Sequence, residues 1–214
     1  MKKIFLILFV FLLSYGGVRA QEAFIFGIKG GVNFANLGGD FDYDTKSKTG
    51  FHLGLVAEFP LTERFSLQPE VLYSSQGTKM DMSGTEFGMP YSMESTATLD
   101  YINVPVLAKF YVFEGLSLEL GPQIGFLVKA EDEYSFSFDG ETESGTDDIK
   151  EDLKSTDFGL AAGVGYKLTQ GIFFNARYIL GLSDIQGDEG FDGEFDEDVS
   201  IKNNVFQFSV GFMF

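Results

Sequence analysis

The nine C-terminal residues constrain most strongly what this chain can fold into. Large apolar side chains occupy every second position, with small or polar residues between them. The apolar positions are Phe206, Phe208, Val210, Phe212 and Phe214. Because alternate side chains of a strand point to opposite faces, the segment has one apolar face and one polar face. This pattern, ending on an aromatic residue, is typical of a transmembrane β-strand whose aromatic face meets lipid.

The N-terminal segment predicts export from the cytoplasm. Two lysines precede an apolar run at residues 4–13, and Val18 and Ala20 occupy the small-residue positions of a signal-peptidase site. The run is too short to cross a bilayer as a helix. We therefore predict that residues 1–20 form a signal peptide, and that residues 21–214 form one outer-membrane β-barrel domain.

Composition excludes several classes of protein. The chain of 214 residues contains no cysteine, so disulfides and thiolate metal sites are excluded. Its net charge of −17 disfavours nucleic-acid binding, which requires a basic surface. The 26 glycines disfavour long helices and suit the curved strands and crowded interior of a small barrel.

The alternation seen at the C-terminus recurs along the whole chain. Seven further strand-like runs lie near residues 24–34, 51–59, 65–73, 99–111, 116–126, 158–167 and 172–181. Their connections alternate between long and short, the long ones being residues 35–48, 77–96, 130–153 and 183–201. Outer-membrane barrels have short periplasmic turns and long external loops. The sequence therefore predicts an all-β fold, an eight-stranded antiparallel up-and-down transmembrane β-barrel in the bacterial outer membrane.

A soluble lipocalin-like barrel or β-sandwich is the alternative fold. In those folds the polar face of each strand meets water, and a water-exposed face normally carries many charges. Here the polar positions are mostly Gly, Ser, Asn and Gln, and charge is concentrated in the connections. This distribution favours the membrane barrel.

Three internal segments and the C-terminus together resemble one known family. The segments are Phe26-Gly-Ile-Lys-Gly-Gly-Val-Asn-Phe34, Phe65-Ser-Leu-Gln-Pro-Glu-Val-Leu-Tyr73 and Tyr101-Ile-Asn-Val-Pro-Val-Leu-Ala-Lys-Phe110. With the aromatic C-terminus, the chain resembles the PorT-type outer-membrane β-barrel proteins of Bacteroidetes along its whole mature length. The resemblance implies the fold and the location, and no role in secretion is carried over from it.

Isolated charges on the polar faces are predicted to point into the lumen. They are Lys29, Glu58, Glu70, Lys109, Glu119, Lys167 and Arg177. The interior of an eight-stranded barrel is just wide enough for side chains to fill it, and buried charges are costly unless they pair. We expect a network of salt bridges that plugs the lumen. A narrow or gated polar path is the functional alternative.

Two of the four long connections are strongly acidic. Residues 130–153 carry several carboxylates, and residues 183–201 carry acids and no base. Weak candidates for a Ca²⁺ site are Asp188, Asp192, Asp196 and Asp198, because calcium prefers several oxygen ligands. Their spacing does not match an EF-hand loop. A solvated, self-repelling external surface is the simpler interpretation, and we expect no metal and no cofactor.

Enzymatic activity is not expected. His52 is the only histidine and lies near the predicted outer end of the second strand. A lipid-modifying enzyme would need a nucleophile hydrogen-bonded to a base. The sequence contains no Gly-x-Ser-x-Gly motif, and no serine is recognisable as a partner of His52.

The sequence thus favours a monomeric structural or interaction protein with long acidic external loops. Expected partners are outer-membrane lipid, the barrel-assembly machinery during insertion, and an envelope protein reached through the external loops. An accessory subunit of a secretion or transport machine is the second hypothesis, and a lipid-modifying enzyme is the third.

Overall fold

A computed structural model describes residues 24–39, 45–86, 88–187 and 200–214. The predicted signal peptide lies outside the described residues. So do all four weak candidates for calcium ligands, Asp188, Asp192, Asp196 and Asp198. Within the described ranges, the structure contains no helix that is long and apolar enough to cross a membrane.

The described residues form nine strands. In chain order these are β1 (Ile25–Gly39), β2 (Thr45–Pro60), β3 (Phe65–Glu86), β4 (Met89–Tyr111), β5 (Leu116–Phe138), β6 (Glu141–Asp148), β7 (Thr156–Lys167), β8 (Ile172–Gly181) and β9 (Ile201–Met213). Every pairing between them is antiparallel.

Eight of the nine strands close into a ring. The order is β4-β3-β2-β1-β9-β8-β7-β5, and β4 pairs with β5 to complete the circle. The remaining strand, β6, pairs only with residues 131–138 of β5 and lies outside the ring. The prediction of an eight-stranded antiparallel barrel is confirmed, with β6 as an addition that the sequence pattern did not reveal.

The two faces of each ring strand differ as the alternation requires. In β1, Phe26, Ile28 and Phe34 are exposed on the outside, whereas Lys29 and Asn33 are buried in the interior. The terminal strand β9 follows the same rule. Its exposed side chains are Phe206, Phe208, Val210 and Phe212, with Phe214 exposed just beyond the strand, and its buried ones include Gln207 and Ser209. An apolar belt of this kind is the surface that a barrel presents to lipid.

The prediction that residues 35–48, 77–96 and 130–153 are loops is wrong over much of their length. The strands β3, β4 and β5 contain 22, 23 and 23 residues, and β5 turns back into β6. The turn is a two-residue one, with positive φ at Asp139 (47°) and Gly140 (86°). Beyond the membrane both faces of a sheet meet water, so the alternation of apolar and polar residues fades although the strands continue.

The long strand extensions and the short turns lie at opposite ends of the ring. The short turns, at residues 61–64, 112–115 and 168–171, share their end with both described chain termini, since Phe214 N–H donates to the Phe26 carbonyl. By the asymmetry of outer-membrane barrels, this end is periplasmic and the extended sheet is external.

The ring interior is filled with side chains. Near the external end, Leu99, Tyr101, Leu127, Ala130 and Ile185 form a buried apolar cluster. Near the periplasmic end, a second apolar cluster is formed by Val56, Phe173 and Met213. The lumen also holds polar and charged residues, which are described next.

Candidate functional sites in the lumen and the external sheet

The seven charged residues that the sequence placed in the lumen lie together inside the ring. Each comes from a different ring strand: Lys29 from β1, Glu58 from β2, Glu70 from β3, Lys109 from β4, Glu119 from β5, Lys167 from β7 and Arg177 from β8. Six of them are at most 3% exposed, and only Lys167 reaches partly into solvent. Ion pairs between them therefore connect strands from all round the barrel.

Glu70 is the centre of this network. The Arg177 guanidinium donates two hydrogen bonds to its carboxylate, Nη1 to Oε2 at 3.0 Å and Nη2 to Oε1 at 2.8 Å. Lys29 Nζ donates to Oε2 at 3.1 Å, and Gln68 Nε2 donates to Oε1 at 2.7 Å. A two-pronged contact of this geometry is among the stronger ion pairs in proteins, and it fixes both side chains in place.

Glu119 joins the network from the opposite side of Arg177. Arg177 Nη2 donates to its Oε2 at 3.0 Å, and Asn175 Nδ2 donates to its Oε1 at 2.7 Å. Lys109 Nζ lies 3.6 Å from the same Oε1 and donates to Gln68 Oε1 at 2.9 Å. Each buried charge of the network is thus paired, which offsets part of the cost of removing it from water.

Glu58 connects the network to the periplasmic mouth. Lys167 Nζ donates to its Oε2 at 3.1 Å, and the Tyr111 hydroxyl donates to its Oε1. Two ammonium groups lie near the Tyr111 ring, with the Nζ atoms of Lys109 and Lys167 at 5.4 and 5.5 Å from its centroid. A cleft of about 600 Å³ at this mouth is lined by Glu58, Tyr111 and Lys167. Tyr111 and Lys167 are partly exposed at the mouth, whereas Glu58 is buried.

Glycines on the inward faces leave space for these contacts. Gly163 pairs with Glu119 on one side and with Arg177 on the other. Because Gly163 has no side chain, the ion pair between Glu119 and Arg177 forms across it. A Cβ atom at this position would lie 2.6 Å from the Ala176 carbonyl oxygen and 3.1 Å from the Arg177 Cβ. The glycines of the polar faces are thus places where neighbouring long side chains meet.

The same arrangement brings a serine to His52, a contact that sequence reasoning missed. Gly31 pairs with His52 in β2 and with Ser209 in β9. Across this glycine, His52 Nε2 lies 2.8 Å from Ser209 Oγ. The other nitrogen of the imidazole, His52 Nδ1, lies 2.7 Å from Asn33 Oδ1. The sequence does contain Gly31 on the polar face of β1. The strand register is needed, however, to show that this glycine lies between His52 and Ser209.

The contacts among Ser209, His52 and Asn33 run in the same order as the nucleophile, the base and the orienting group of a hydrolase. An amide oxygen accepts only, so His52 Nδ1–H donates to Asn33, and Nε2 accepts the Ser209 hydroxyl proton. The three residues are nevertheless buried: His52 and Asn33 are 1% and 0% exposed, and Ser209 is 7% exposed. Gln207 Nε2 also donates to Asn33 Oδ1 at 3.1 Å. The cluster therefore ties β1, β2 and β9 together where the first and last strands meet.

The external sheet carries much of the acidic charge that the sequence placed in loops. Glu131 lies directly opposite Asp148, and Asp132 directly opposite Asp147, in the β5–β6 ladder. All residues of β6 except Gly145 are exposed. Within the described ranges, no three His, Asp or Glu side chains converge as a metal site requires.

A small cap at the external mouth is held by Asp184. Its Oδ1 accepts the main-chain N–H groups of Ile201 (2.9 Å) and Gln186 (3.2 Å), and its Oδ2 accepts Lys154 Nζ (3.1 Å). Burial raises the pKa of Asp184, but these donors outweigh it and hold the pKa below the ordinary value. The bonds position the adjacent Ile185, which is fully buried in the apolar cluster under the cap.

The ring and its apolar belt agree with the match to a protein family. A family model described as "Outer membrane protein beta-barrel domain" matches residues 19–187. The chain belongs to this family. It is accordingly a protein of the bacterial outer membrane. No curated protein matched the chain.

Several solved outer-membrane proteins are similar to this barrel. Ail, the attachment invasion locus protein of Yersinia pestis, is 15% identical, with a TM-score of 0.46, over 89% of this chain and 99% of that one. Neisserial surface protein A is 14% identical, with a TM-score of 0.40, over 88% and 97% of the two chains. OprG from Pseudomonas aeruginosa is 13% identical, with a TM-score of 0.40, over 90% and 96%.

Proposed function

We propose that this protein is a closed outer-membrane barrel that works by binding other molecules at its external sheet, and that it passes no solute through its lumen. The observation that carries the proposal is the continuation of β3, β4 and β5 beyond the membrane. A transmembrane strand needs only about 9–11 residues, and these three have 22 or 23.

The length of the external sheet supports a role in recognition. Outward apolar side chains end near Tyr73 in β3, Ile102 in β4 and Val128 in β5. Ten or more residues of each strand lie beyond these points. At about 3.4 Å per residue, ten residues extend about 34 Å along the strand. A rigid sheet of this size is more than membrane anchoring requires, and it places a defined surface outside the cell.

The packed interior supports the absence of transport. An eight-stranded ring encloses little more than its own side chains, and here the central space is occupied by buried, paired charges. Opening a path would require separating Arg177 from both Glu70 and Glu119. In this proposal the charge network is structural, and it holds the ring rigid beneath the external sheet.

Photo-cross-linking in intact cells tests the proposal. A photoreactive amino acid at Thr142, on the exposed β6, is expected to form adducts with proteins or glycans outside the membrane. The same amino acid at Leu118, on the exposed outer face of the ring, is the matched control and is expected to react with lipid. An adduct pattern at Thr142 no different from that at Leu118 would contradict a binding role for the external sheet.

We infer also that the chain is of the PorT type and that it is monomeric. The segments around Lys29, Glu70 and Asn103 support the first inference, and the closure of the ring within one chain supports the second. The aromatic terminal strand is the part that we expect the barrel-assembly machinery to recognise during insertion. An accessory role in a secretion or transport machine is compatible with the same external sheet.

A further inference from the structure

The strand β6 leaves one edge of the external sheet open. It pairs with β5 through eight consecutive residue pairs, from Glu141 opposite Phe138 to Asp148 opposite Glu131. In the part of the chain that the structure describes, its other edge pairs with no strand, and all its residues except Gly145 are exposed. Such an edge presents main-chain N–H and C=O groups that another strand can pair with.

The main chain of this edge is open to a strand of suitable charge. Proteins usually block an exposed edge with proline, with charged side chains (especially lysine), with a bulge or by making the strand very short. β6 contains neither proline nor lysine, and its register with β5 shows no bulge. The Tyr134 ring covers Gly145, because a Cβ atom there would lie 2.6 Å from the Tyr134 hydroxyl oxygen. The Tyr134 side chain thus packs on β6 at the pair that Tyr134 forms with Gly145.

The position of the turn identifies the main-chain groups that point outward. Phe138 and Glu141 flank the two-residue turn, so they form a hydrogen-bonded pair. Antiparallel ladders alternate between hydrogen-bonded and non-hydrogen-bonded pairs. The next non-hydrogen-bonded residues of β6 are Thr142, Ser144 and Thr146. Their N–H and C=O groups point away from β5, toward the open edge.

The side chains of β6 determine which strand the edge accepts. Glu141, Glu143 and Asp147 lie on one face of the sheet, Asp148 lies on the other, and β6 has no basic residue. A second copy of β6 would place carboxylates against carboxylates, which is unfavourable in a cross-strand pair. A strand with Lys or Arg at alternate positions would instead place ammonium or guanidinium groups beside Glu141 and Glu143.

We propose that the open edge of β6 binds an extended cationic peptide segment as an additional strand of the external sheet. Main-chain hydrogen bonds to Thr142, Ser144 and Thr146 supply the affinity, and the carboxylates of the strand select positive charge. This inference rests on the proposed binding role of the external sheet and names the class of partner.

The test uses the full-length protein in nanodiscs of uncharged lipid. The probe is a fluorescent eight-residue peptide in which lysine alternates with threonine, and binding is followed by fluorescence anisotropy. The first control peptide has the same sequence but N-methyl groups on alternate amides, which remove its donors and leave its charge unchanged. The second control peptide has glutamate in place of lysine. The proposal expects binding of the probe and no binding of either control.

Variants at one position separate the main-chain effect from the charge effect. Ser144→Pro removes an outward N–H without breaking the β5 ladder, and we expect it to weaken binding of the probe by at least about tenfold. Ser144→Ala keeps the N–H group and is the matched control, with unchanged affinity. Neutralising Glu141, Glu143 and Asp147 together to the amides should weaken binding by about tenfold and remove most of its salt dependence.

Two results would overturn the inference. If the N-methylated peptide binds as tightly as the probe, or if Ser144→Pro binds as tightly as Ser144→Ala, attraction is by charge alone and no strand is added. If cross-linking from Thr142 succeeds while the probe fails to bind, the cationic-peptide inference is wrong and the binding role of the sheet stands. Heat-modifiable migration of Ser144→Pro on a gel verifies that its barrel is folded.

Discussion

The charge network makes a specific prediction for Arg177→Ala, which removes the guanidinium that pairs with both Glu70 and Glu119. In the wild-type protein this group donates two hydrogen bonds to Glu70 and one to Glu119, at 2.8–3.0 Å. The substitution leaves two buried carboxylates without their main partner. Each retains other donors, since Glu70 keeps Lys29 and Glu119 keeps Asn175.

The expected loss of stability follows from the cost of removing one partner of a buried ion pair. Removing one partner of such a pair typically costs about 3–5 kcal/mol, because the remaining charge stays in a region of low polarity. Since both carboxylates keep a second donor, the lower end of this range applies here. We therefore expect Arg177→Ala to lower the free energy of unfolding by about 3 kcal/mol.

The loss of stability is measured by urea-induced unfolding in lipid vesicles. The folded and unfolded fractions are read from a gel, on which the two forms migrate as separate bands. The matched control is Arg64→Ala, which removes the same side chain from the exposed periplasmic turn, where it forms no ion pair within the described ranges. We expect the control to change the free energy of unfolding by less than about 0.5 kcal/mol. Equal midpoints for the two variants would refute the network as a source of stability.

Three further predictions concern other contacts of the interior. Gly163→Val should destabilise the barrel by about 1–3 kcal/mol, because the new side chain occupies the space through which the buried ion pair forms; an unchanged urea midpoint would contradict this crowding. Asp184 has a lowered folded pKa, so its stabilisation of the cap is complete above the ordinary pKa of 3.8 and is lost as the pH falls through the lower folded value. The chemical shift of the Ile201 amide should therefore change only as the pH falls below 3.8 and Asp184 becomes protonated. An amide shift that does not change when Asp184 is protonated would exclude the hydrogen bond between Asp184 and Ile201. His52→Ala should lower thermal stability by removing the link across the β1–β9 seam, while a fluorophosphonate probe should fail to label Ser209; labelling that is lost in His52→Ala would point instead to acyl-transfer chemistry.

The ring was predictable from sequence because the membrane imposes a sharp contrast between the two faces of each strand. Within the bilayer, Phe26 and Ile28 face lipid while Lys29 is buried in the lumen, and the period of two is visible without any other information. The short turns were predictable for a related reason, since they interrupt this pattern for only a few residues.

The external sheet was not predictable because the contrast disappears in water. Beyond the belt, the outward face carries Lys79, Glu94 and Glu131, and the inward face carries Met82 and Phe136, so neither face is consistently apolar. Polar strands rich in Ser and Thr then resemble loops. A residual signal remained in β5, where aromatic residues alternate with polar ones up to Phe138.

The pairing of interior residues needed the strand register as well as the face. Alternation placed Glu70 and Arg177 inside, but the two come from strands that are not neighbours in the ring. Only the shear of the closed sheet, and the glycines that give the side chains room, bring such residues within hydrogen-bonding distance. The contact between His52 and Ser209 was missed for the same reason.

Electrical recording from planar lipid bilayers tests the central claim most directly, namely that the lumen is filled and that the protein acts through its external sheet. With folded protein inserted and salt on both sides, the account predicts no stepwise conductance at any moderate voltage. Regular conductance steps from the wild-type protein, at a size that scales with salt concentration, would show an open path through the ring and contradict the claim.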